Sequence, residues 1–417
     1  MRVLIYWFRN DLRLVDNPAI SRACLDADFI LPVYLHEPDG ELNAYGFERV
    51  GPHRKLFLKE SLADLRTQLR ALDSDLFEFH GHATAVFPQL MKAIGASAIY
   101  CEQIETPEEM MQVSELLGMG VELKQFWQSS MLDLKDLPFD PQTMPNVFTQ
   151  FRQKIEGAGV RFTGPIAAPK YLPPPPDGVD VPPMGEMEIQ HSQSPYLGGS
   201  SRAQSHLQQY LERRLPDTYK ETRNHLTGQD YSSKFSFWLS LGCISARDIA
   251  AQINQYEERH GANDGTYWLW FELLWRDYFR FIHFKFGRQL YRARGLSNLP
   301  TPSLDVGQFE GWKSGSTGNA FVDAGMHELQ STGYLSNRMR QIVASYWIYD
   351  MQGDWRIGAA WFENQLADFD IYSNQGNWLY IAGRGTDPRG GRQFNVAKQA
   401  QDHDPQGEYR RLWNKPN

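Results

Sequence analysis

Short apolar runs alternate with amphipathic stretches from the start of the chain to about Ser130. "RVLIYWF", "FILPVYLH", "DLFEFHG", "ASAIYCEQ" and "VELKQFW" read as strands. Between them, "DNPAISRACLDA" reads as a helix, with Asp16 or Asn17 near its cap and Pro18 in its first turn. "GPHRKLFLKESLADLRTQLRAL" carries Leu56, Leu62, Leu65 and Leu69 at helical spacing, and "ATAVFPQLMKAIG" and "TPEEMMQVSELLGMG" complete the series. Strands alternating with helices predict a doubly wound parallel α/β sheet. No GxGxxG follows the first strand, so the usual dinucleotide fingerprint is missing and ordinary NAD binding is not expected.

The pattern then changes twice. From Met131 to Gly185 it dissolves into proline-rich sequence, including "YLPPPPDGVDVPP", which favours extended, polyproline-like chain. This reads as a linker running over the surface, with one short helix from Val147 to Glu156. After Tyr196, "SRAQSHLQQYLERRL", "ISARDIAAQINQYEERH", "YWLWFELLWRDYFRFIHFKFG" and "LSNRMRQIVASYWIYDM" are apolar at helical spacing and separated by Gly- or Pro-containing turns. The expected organisation is an α/β domain over 1–130, a linker over 131–195 and an all-α domain over 196–417.

Composition narrows the class. No apolar run approaches the length of a membrane span, and "VLIYWF" is too short for a signal-peptide core. Cys24, Cys101 and Cys243 are isolated from one another, which speaks against a disulfide framework or a paired metal motif and fits a reducing, cytoplasmic setting. A net charge of −8 argues against coating nucleic acid over the whole surface but allows a local basic rim.

Several helical stretches carry more polar chemistry than packing needs. "YSSKFS" sets Ser232, Ser233, Lys234 and Ser236 at a helix start, where they either cap the helix or form an anion site. "WFELLWRDYFRF" brings Glu272, Trp275 and Arg276 together, with Glu272 and Arg276 spaced for an (i, i+4) ion pair. "SNRMRQ" adds Asn337, Arg338 and Arg340, and Asp350 follows on the next turns. "ADFDIYSNQGNWLYIAGRGTDPRG" places Asp368 and Asp370 ahead of Asn374, Trp378 and Tyr380. Phosphate-binding groups, carboxylates, amides and tryptophans in one helical domain suit a planar, phosphorylated, redox-active cofactor such as a flavin.

The segments "WFRNDLRLVDNPAI", "YKETRNHLTGQDYSSKFSFWLSLGCIS", "FELLWRDYFRF", "STGYLSNRMRQIVASYWIYDMQGDWRIGAAWFENQLADFDIYSNQGNWLYIAG" and "NVAKQAQDHDP" resemble the photolyase/cryptochrome family. The DASH cryptochrome branch is the best match, over nearly the whole chain. The resemblance implies an N-terminal antenna domain and a helical domain holding FAD. It also implies light-driven repair of cyclobutane pyrimidine dimers, with single-stranded DNA preferred, by electron transfer from excited reduced FAD. On this resemblance Tyr219, Ser232, Ser233, Lys234, Phe235 and Ser236 hold the phosphates and ribityl chain. Arg276, Asn337, Asp368 and Asp370 line the flavin, and Asn374 faces its N5. Arg340 and Asp350 form an ion pair beside the ring. Glu272, Trp275, Asn337, Arg338, Gln341 and Tyr380 match substrate-pocket positions, and Arg384, Arg389, Arg392 and Lys398 are candidates for the DNA backbone.

Two family features fall on less regular ground. Trp378 and Trp355 match the inner two of three electron-transfer tryptophans, but the outer position falls in "LPTPS", at Thr301 and Pro302. Trp312 is nearby but matches a different family tryptophan, so Tyr349, Trp347 and Trp361 are the candidate substitutes, or photoreduction is slow. Glu105 in "EQIETPEE" matches the carboxylate that binds a methenyltetrahydrofolate antenna in this branch. The rival expectation is a blue-light receptor that keeps FAD and signals through a protein partner. A (6-4) photoproduct enzyme fits less well, because that chemistry leans on a pocket histidine and Gln341 supplies none. A monomer is expected.

Overall fold

A computed structural model describes residues 1–38, 40–179, 194–303 and 305–414. The N-terminal sheet has strands β1 (Val3–Phe8), β2 (Phe29–His36), β3 (Phe77–His80), β4 (Ala98–Glu102) and β5 (Leu123–Phe126). All are parallel, in the order β3-β2-β1-β4-β5, with Ile5 opposite Leu31 on one side and Ile99 on the other. Helices α1 (Pro18–Asp26), α2 (Pro52–Arg70), α3 (Ala83–Ile94) and α4 (Pro107–Gly118) make the crossovers. Side chains of β1 alternate between faces, as strand geometry requires. Leu4, Tyr6 and Phe8 join the core shared with α1 and α2, whereas Ile5 and Trp7 pack with Phe87 of α3 and Leu116 of α4. Asn17 is the cap of α1, accepting from Ile20 N–H at 3.1 Å. Asp16 is free for another task and binds Arg247 at 3.0 Å.

The proline-rich region does not simply cross the surface. Its helix α5 (Phe148–Gly157) buries Phe148, Phe151 and Ile155, and Leu172 is also buried. Met131 and Leu132 donate their backbone N–H groups to the buried Asp277 carboxylate at 2.9 and 2.8 Å. Proline content signalled the backbone but not these anchors, because burial depends on the partner surface. "YLPPPPDGV" is described through Val179, and the rest of that run lies outside the described residues.

The helical region contains α6 (Ser200–Glu212), α7 (Tyr219–Thr222), α8 (Ser236–Ser240), α9 (Ala246–His260), α10 (Asp264–Phe286), α11 (Val306–Lys313) and α12 (Ala320–Thr332). After these come α13 (Asn337–Ser345), a π turn over Tyr346–Asp350, α14 (Trp355–Gln365), α15 (Ile371–Ile381), α16 (Val396–His403) and α17 (Glu408–Trp413). No helix among the described residues is long and apolar enough to cross a membrane. The two regions meet closely: Leu12 N–H donates to Leu241 C=O at 3.0 Å, and a Cβ on Gly242 would stand 2.0 Å from Asn10 O. Gly242 also has φ +64°, so glycine is required on both counts. Gly376 lets α15 lie directly on α10, where a Cβ would come within 2.1 Å of Phe279. That contact sets the spacing between the two helices that carry much of the site.

Candidate functional site

One cavity of about 540 Å3 opens among α7, α8, α10, α13 and α15, a size suited to a large cofactor. At its inner end the chain from Tyr231 to Ser236 is tightly wound, with Ser232 and Lys234 at φ +58° and +59°. Neither residue favours that conformation, so the surrounding packing must hold it. Lys234 is buried, with its ammonium 3.2 Å from the Tyr231 ring centroid and 3.3 Å from the Tyr334 hydroxyl. It pairs with no carboxylate among the described residues. Burial therefore pushes it down to about 7.

Two ion pairs frame the next part of the wall. Arg340 Nη2 binds both oxygens of Asp368, at 2.8 and 2.7 Å, while its Nε donates to Leu335 C=O. Arg280 Nη2 binds Asp370 at 2.5 Å, and Asp370 also caps α15 by accepting from Ser373 N–H at 2.8 Å. Burial opposes ionisation of Asp370, but Arg280 and Arg276 hold it well below the usual carboxylate range. Arg276 spends its guanidinium on the carbonyls of Ser129 and Leu239. Burial and the neighbouring Arg280 push it down to about 9. Asn374 donates Nδ2 to Ala359 C=O at 3.0 Å, which leaves Oδ1 as the acceptor available to the cavity.

Toward the mouth the lining becomes aromatic. Trp275 stacks on Phe148 at 3.6 Å and meets Tyr380 edge-on at 5.7 Å. The Tyr380 hydroxyl accepts from Arg392 at 2.8 Å, and Arg392 is tied to Asp387 at 2.7 Å. Glu272 pairs with Arg223, and Arg338 donates to Asn224 at 3.2 Å. Asn337 and Gln341 complete this wall. Trp378, buried beneath it, packs against Phe362 at 5.1 Å and Trp312 at 6.3 Å.

Family models for the photolyase fold match at both ends: DNA photolyase over residues 4–173 and the FAD binding domain of DNA photolyase over residues 268–415. A cryptochrome DASH of Gloeobacter violaceus is 41% identical over 427 residues, covering 99% of this chain and 85% of the relative. The Xenopus laevis cryptochrome DASH is 44% identical over 432 residues, covering 99% and 82%. A crystal structure of a Synechocystis cryptochrome superposes with a TM-score of 0.93 at 41% identity, covering 99% of this chain and 88% of that one. The chain belongs to the photolyase/cryptochrome family, among the DASH cryptochromes.

The cavity fits FAD on its own chemistry. Lys234 is a buried cation without a carboxylate, beside the Ser232, Ser233 and Ser236 hydroxyls, which is the donor set a pyrophosphate needs. Tyr219, Phe235, Glu272, Arg276, Asn337, Arg340, Asp368, Asp370 and Asn374 all line the same space, as do Trp275, Arg338, Gln341, Trp378 and Tyr380.

Three expectations need correction. Asp350 is exposed and outside the cavity, and Arg340 pairs with Asp368 instead. Glu272 and Arg276 do not pair despite their spacing, because each finds a better partner on another element. Arg384 is buried and donates to Pro300 C=O, so it is not part of a basic rim, whereas Arg389 and Lys398 are exposed. Trp355 is buried on α14, with Nε1 donating to Ala293 C=O at 3.0 Å. The rings that continue from Trp378 are Trp312 and then Trp347, at 5.5 Å. Glu105 lies away from the cavity, accepting from Gln103 at 2.6 Å, while its N–H donates to the Tyr372 hydroxyl of α15.

Sequence reasoning missed Arg223, Arg280 and Phe148. Arg280 stands one helical turn beyond Arg276 and was open to discovery by (i, i+4) spacing. Phe148 sits in proline-rich sequence and carried no such signal.

Proposed function

We propose that this protein is a light-driven photolyase for cyclobutane pyrimidine dimers that prefers single-stranded DNA. The observation that supports it is continuity: one cavity joins the Lys234 and Asp368 end to the Glu272, Trp275 and Tyr380 mouth. A cofactor in the inner part and a flipped-out pyrimidine pair at the mouth would be neighbours.

The chain's own groups divide the work. Ser232, Ser233, Lys234 and Ser236 neutralise and orient the pyrophosphate, with Tyr219 and Phe235 packed beside them. Arg340 and Asp368 flank the ring system, and Asp370 is held in place by Arg280. Asn374 offers Oδ1 and so accepts from an N–H at flavin N5, which selects the reduced form. When bound, reduced FAD supplies the light-excited electron that splits the cyclobutane ring. Trp275 and Tyr380 wall in the pyrimidines, Asn337 and Gln341 offer amides to their edges, and Glu272 hydrogen-bonds a base. Trp378 and Trp312 provide redox-active rings behind the flavin. Arg338, Arg389 and Lys398 face the strand's phosphates. Glu105 remains the proposed contact for a methenyltetrahydrofolate antenna, and fluorescence of chromophore released from the purified protein tests its presence.

The test is repair under blue light of a dimer-containing oligonucleotide, single-stranded and duplex, by the chemically reduced holoprotein. Faster repair of the single strand is expected, and Glu272→Ala should remove most activity while leaving the FAD spectrum intact. Absence of repair with a flavin that still cycles under light would instead favour a blue-light receptor acting through a protein partner.

A further inference from the structure

Arg223 was not among the residues that the sequence singled out, yet it bonds the Glu272 carboxylate of the cavity wall. Its Nη1 meets Glu272 Oε1, and its guanidinium lies 4.3 Å over the face of Trp268. Trp268 is in turn held by Phe271 at 4.5 Å. A planar fork laid on an aromatic face loses little further freedom when it grips a carboxylate. The next residue, Asn224, takes Arg338 at 3.2 Å. Two consecutive residues after α7 thus orient both the acid and a base of the mouth. Resting on the photolyase reading above, we infer that Arg223 is a positioning residue for dimer recognition, clamping the Glu272 carboxylate in the orientation and charge state that meets the pyrimidine pair.

The other groups around Glu272 leave this role to Arg223. Arg276, one turn along α10, is committed to the Ser129 and Leu239 carbonyls. Arg338 of α13 faces Arg223 and repels it. Tyr219 of α7 is buried nearby, with its hydroxyl kept neutral by burial and by Glu272 itself. Asn337 is uncharged, and Tyr380 on α15 is engaged by Arg392. Burial raises Glu272 above the ordinary carboxylate range, and Arg223 acts against that rise. Its side chain is 35% exposed, and the residue lines the cavity, where a bound pyrimidine would displace water. Removing Arg223 therefore makes Glu272 take up its proton at higher pH.

The experiment uses the FAD-loaded protein in two arms. Infrared titration follows the protonated carboxyl stretch that Glu272→Gln deletes, and fluorescence anisotropy compares dimer-containing with undamaged oligonucleotide across the same pH range. In Arg223→Gln the carboxyl midpoint should move up by about one pH unit or more, and the pH dependence of dimer preference should move with it. Arg223→Lys should restore the midpoint but recover dimer preference only in part, since an ammonium lacks the fork. An unmoved midpoint in Arg223→Gln overturns the inference. Equal loss of affinity for dimer and undamaged DNA without a midpoint shift also overturns it, leaving Arg223 an ordinary phosphate contact. A wild-type protein with no dimer preference removes the photolyase reading and the recognition role together, whereas a midpoint shift still shows the ion pair.

Discussion

Replacing Arg280 with Met tests how the acidic wall of the cavity is held. Arg280 is 4% exposed in its side chain and Asp370 13%, with 2.5 Å between them. In Arg280→Met the methionine fills much of the space, but Asp370 is left charged, buried and dependent on Arg276 alone. Stranding one member of a buried pair costs about 3–5 kcal/mol. At roughly 2–4 °C per kcal/mol for a domain of this size, the melting temperature should fall by roughly 6–20 °C. The pH dependence should also reverse. In the wild type Asp370 is depressed below its unfolded value, so its contribution is present above about pH 4 and is lost only as pH falls through the lower folded value. In the variant, burial dominates and raises Asp370, so lowering the pH toward 5 relieves the stranded charge and recovers stability. Adding Asp370→Asn keeps the cap of α15, since Asn serves that position well, and removes the charge. Scanning calorimetry at pH 5 and pH 7 on wild type, Arg280→Met and the double variant is the assay. If the single variant melts no lower than the double variant at pH 7, the reasoning fails.

Three further outcomes follow from the same geometry. Because Lys234 is held near 7, FAD binding should draw a proton onto it, so FAD affinity should fall as pH rises from 6 to 9 and Lys234→Gln should flatten that dependence in isothermal titration. Since Trp312 is ring-packed on Trp378, Trp312→Phe should slow flavin photoreduction, followed by absorbance under blue light, more than Trp355→Phe does. Gly376→Ala should lower the melting temperature and the FAD content of the purified protein. The Cβ that would stand 2.1 Å from Phe279 forces α15 off α10, and overpacking of this kind costs about 1–3 kcal/mol. A fully loaded, equally stable Gly376→Ala protein would show that the α10–α15 spacing is not critical.

The N-terminal fold was legible because its strands are short, apolar and flanked by strong turn and cap residues, so local preference and global topology agree. The cap of α1 shows where local reading stopped. Asp16 and Asn17 are equally good cap residues in sequence, and only the position of Arg247, more than two hundred residues away, commits Asp16 to another task. Most of the cavity lining was readable for a different reason: the long motifs of the helical domain carry polar residues that packing alone does not call for. Spacing along the helix pairs Glu272 with Arg276, and the family resemblance pairs Arg340 with Asp350. Buried charges instead take whichever partner from any element completes their desolvated shell.

The sequence by itself determined the parallel sheet, the helical second region, the family and the set of residue types that converge on a cofactor, because periodicity and motif order are properties of the chain. Only the tertiary structure decided which of those residues meet. Gly242 and Gly376 set how closely separate segments approach, Phe148 returns from proline-rich chain to stack on Trp275, and Arg223, just after α7, and Arg280 of α10 hold Glu272 and Asp370. Such pairings are made across distances that no local pattern encodes, and close packing selects among them.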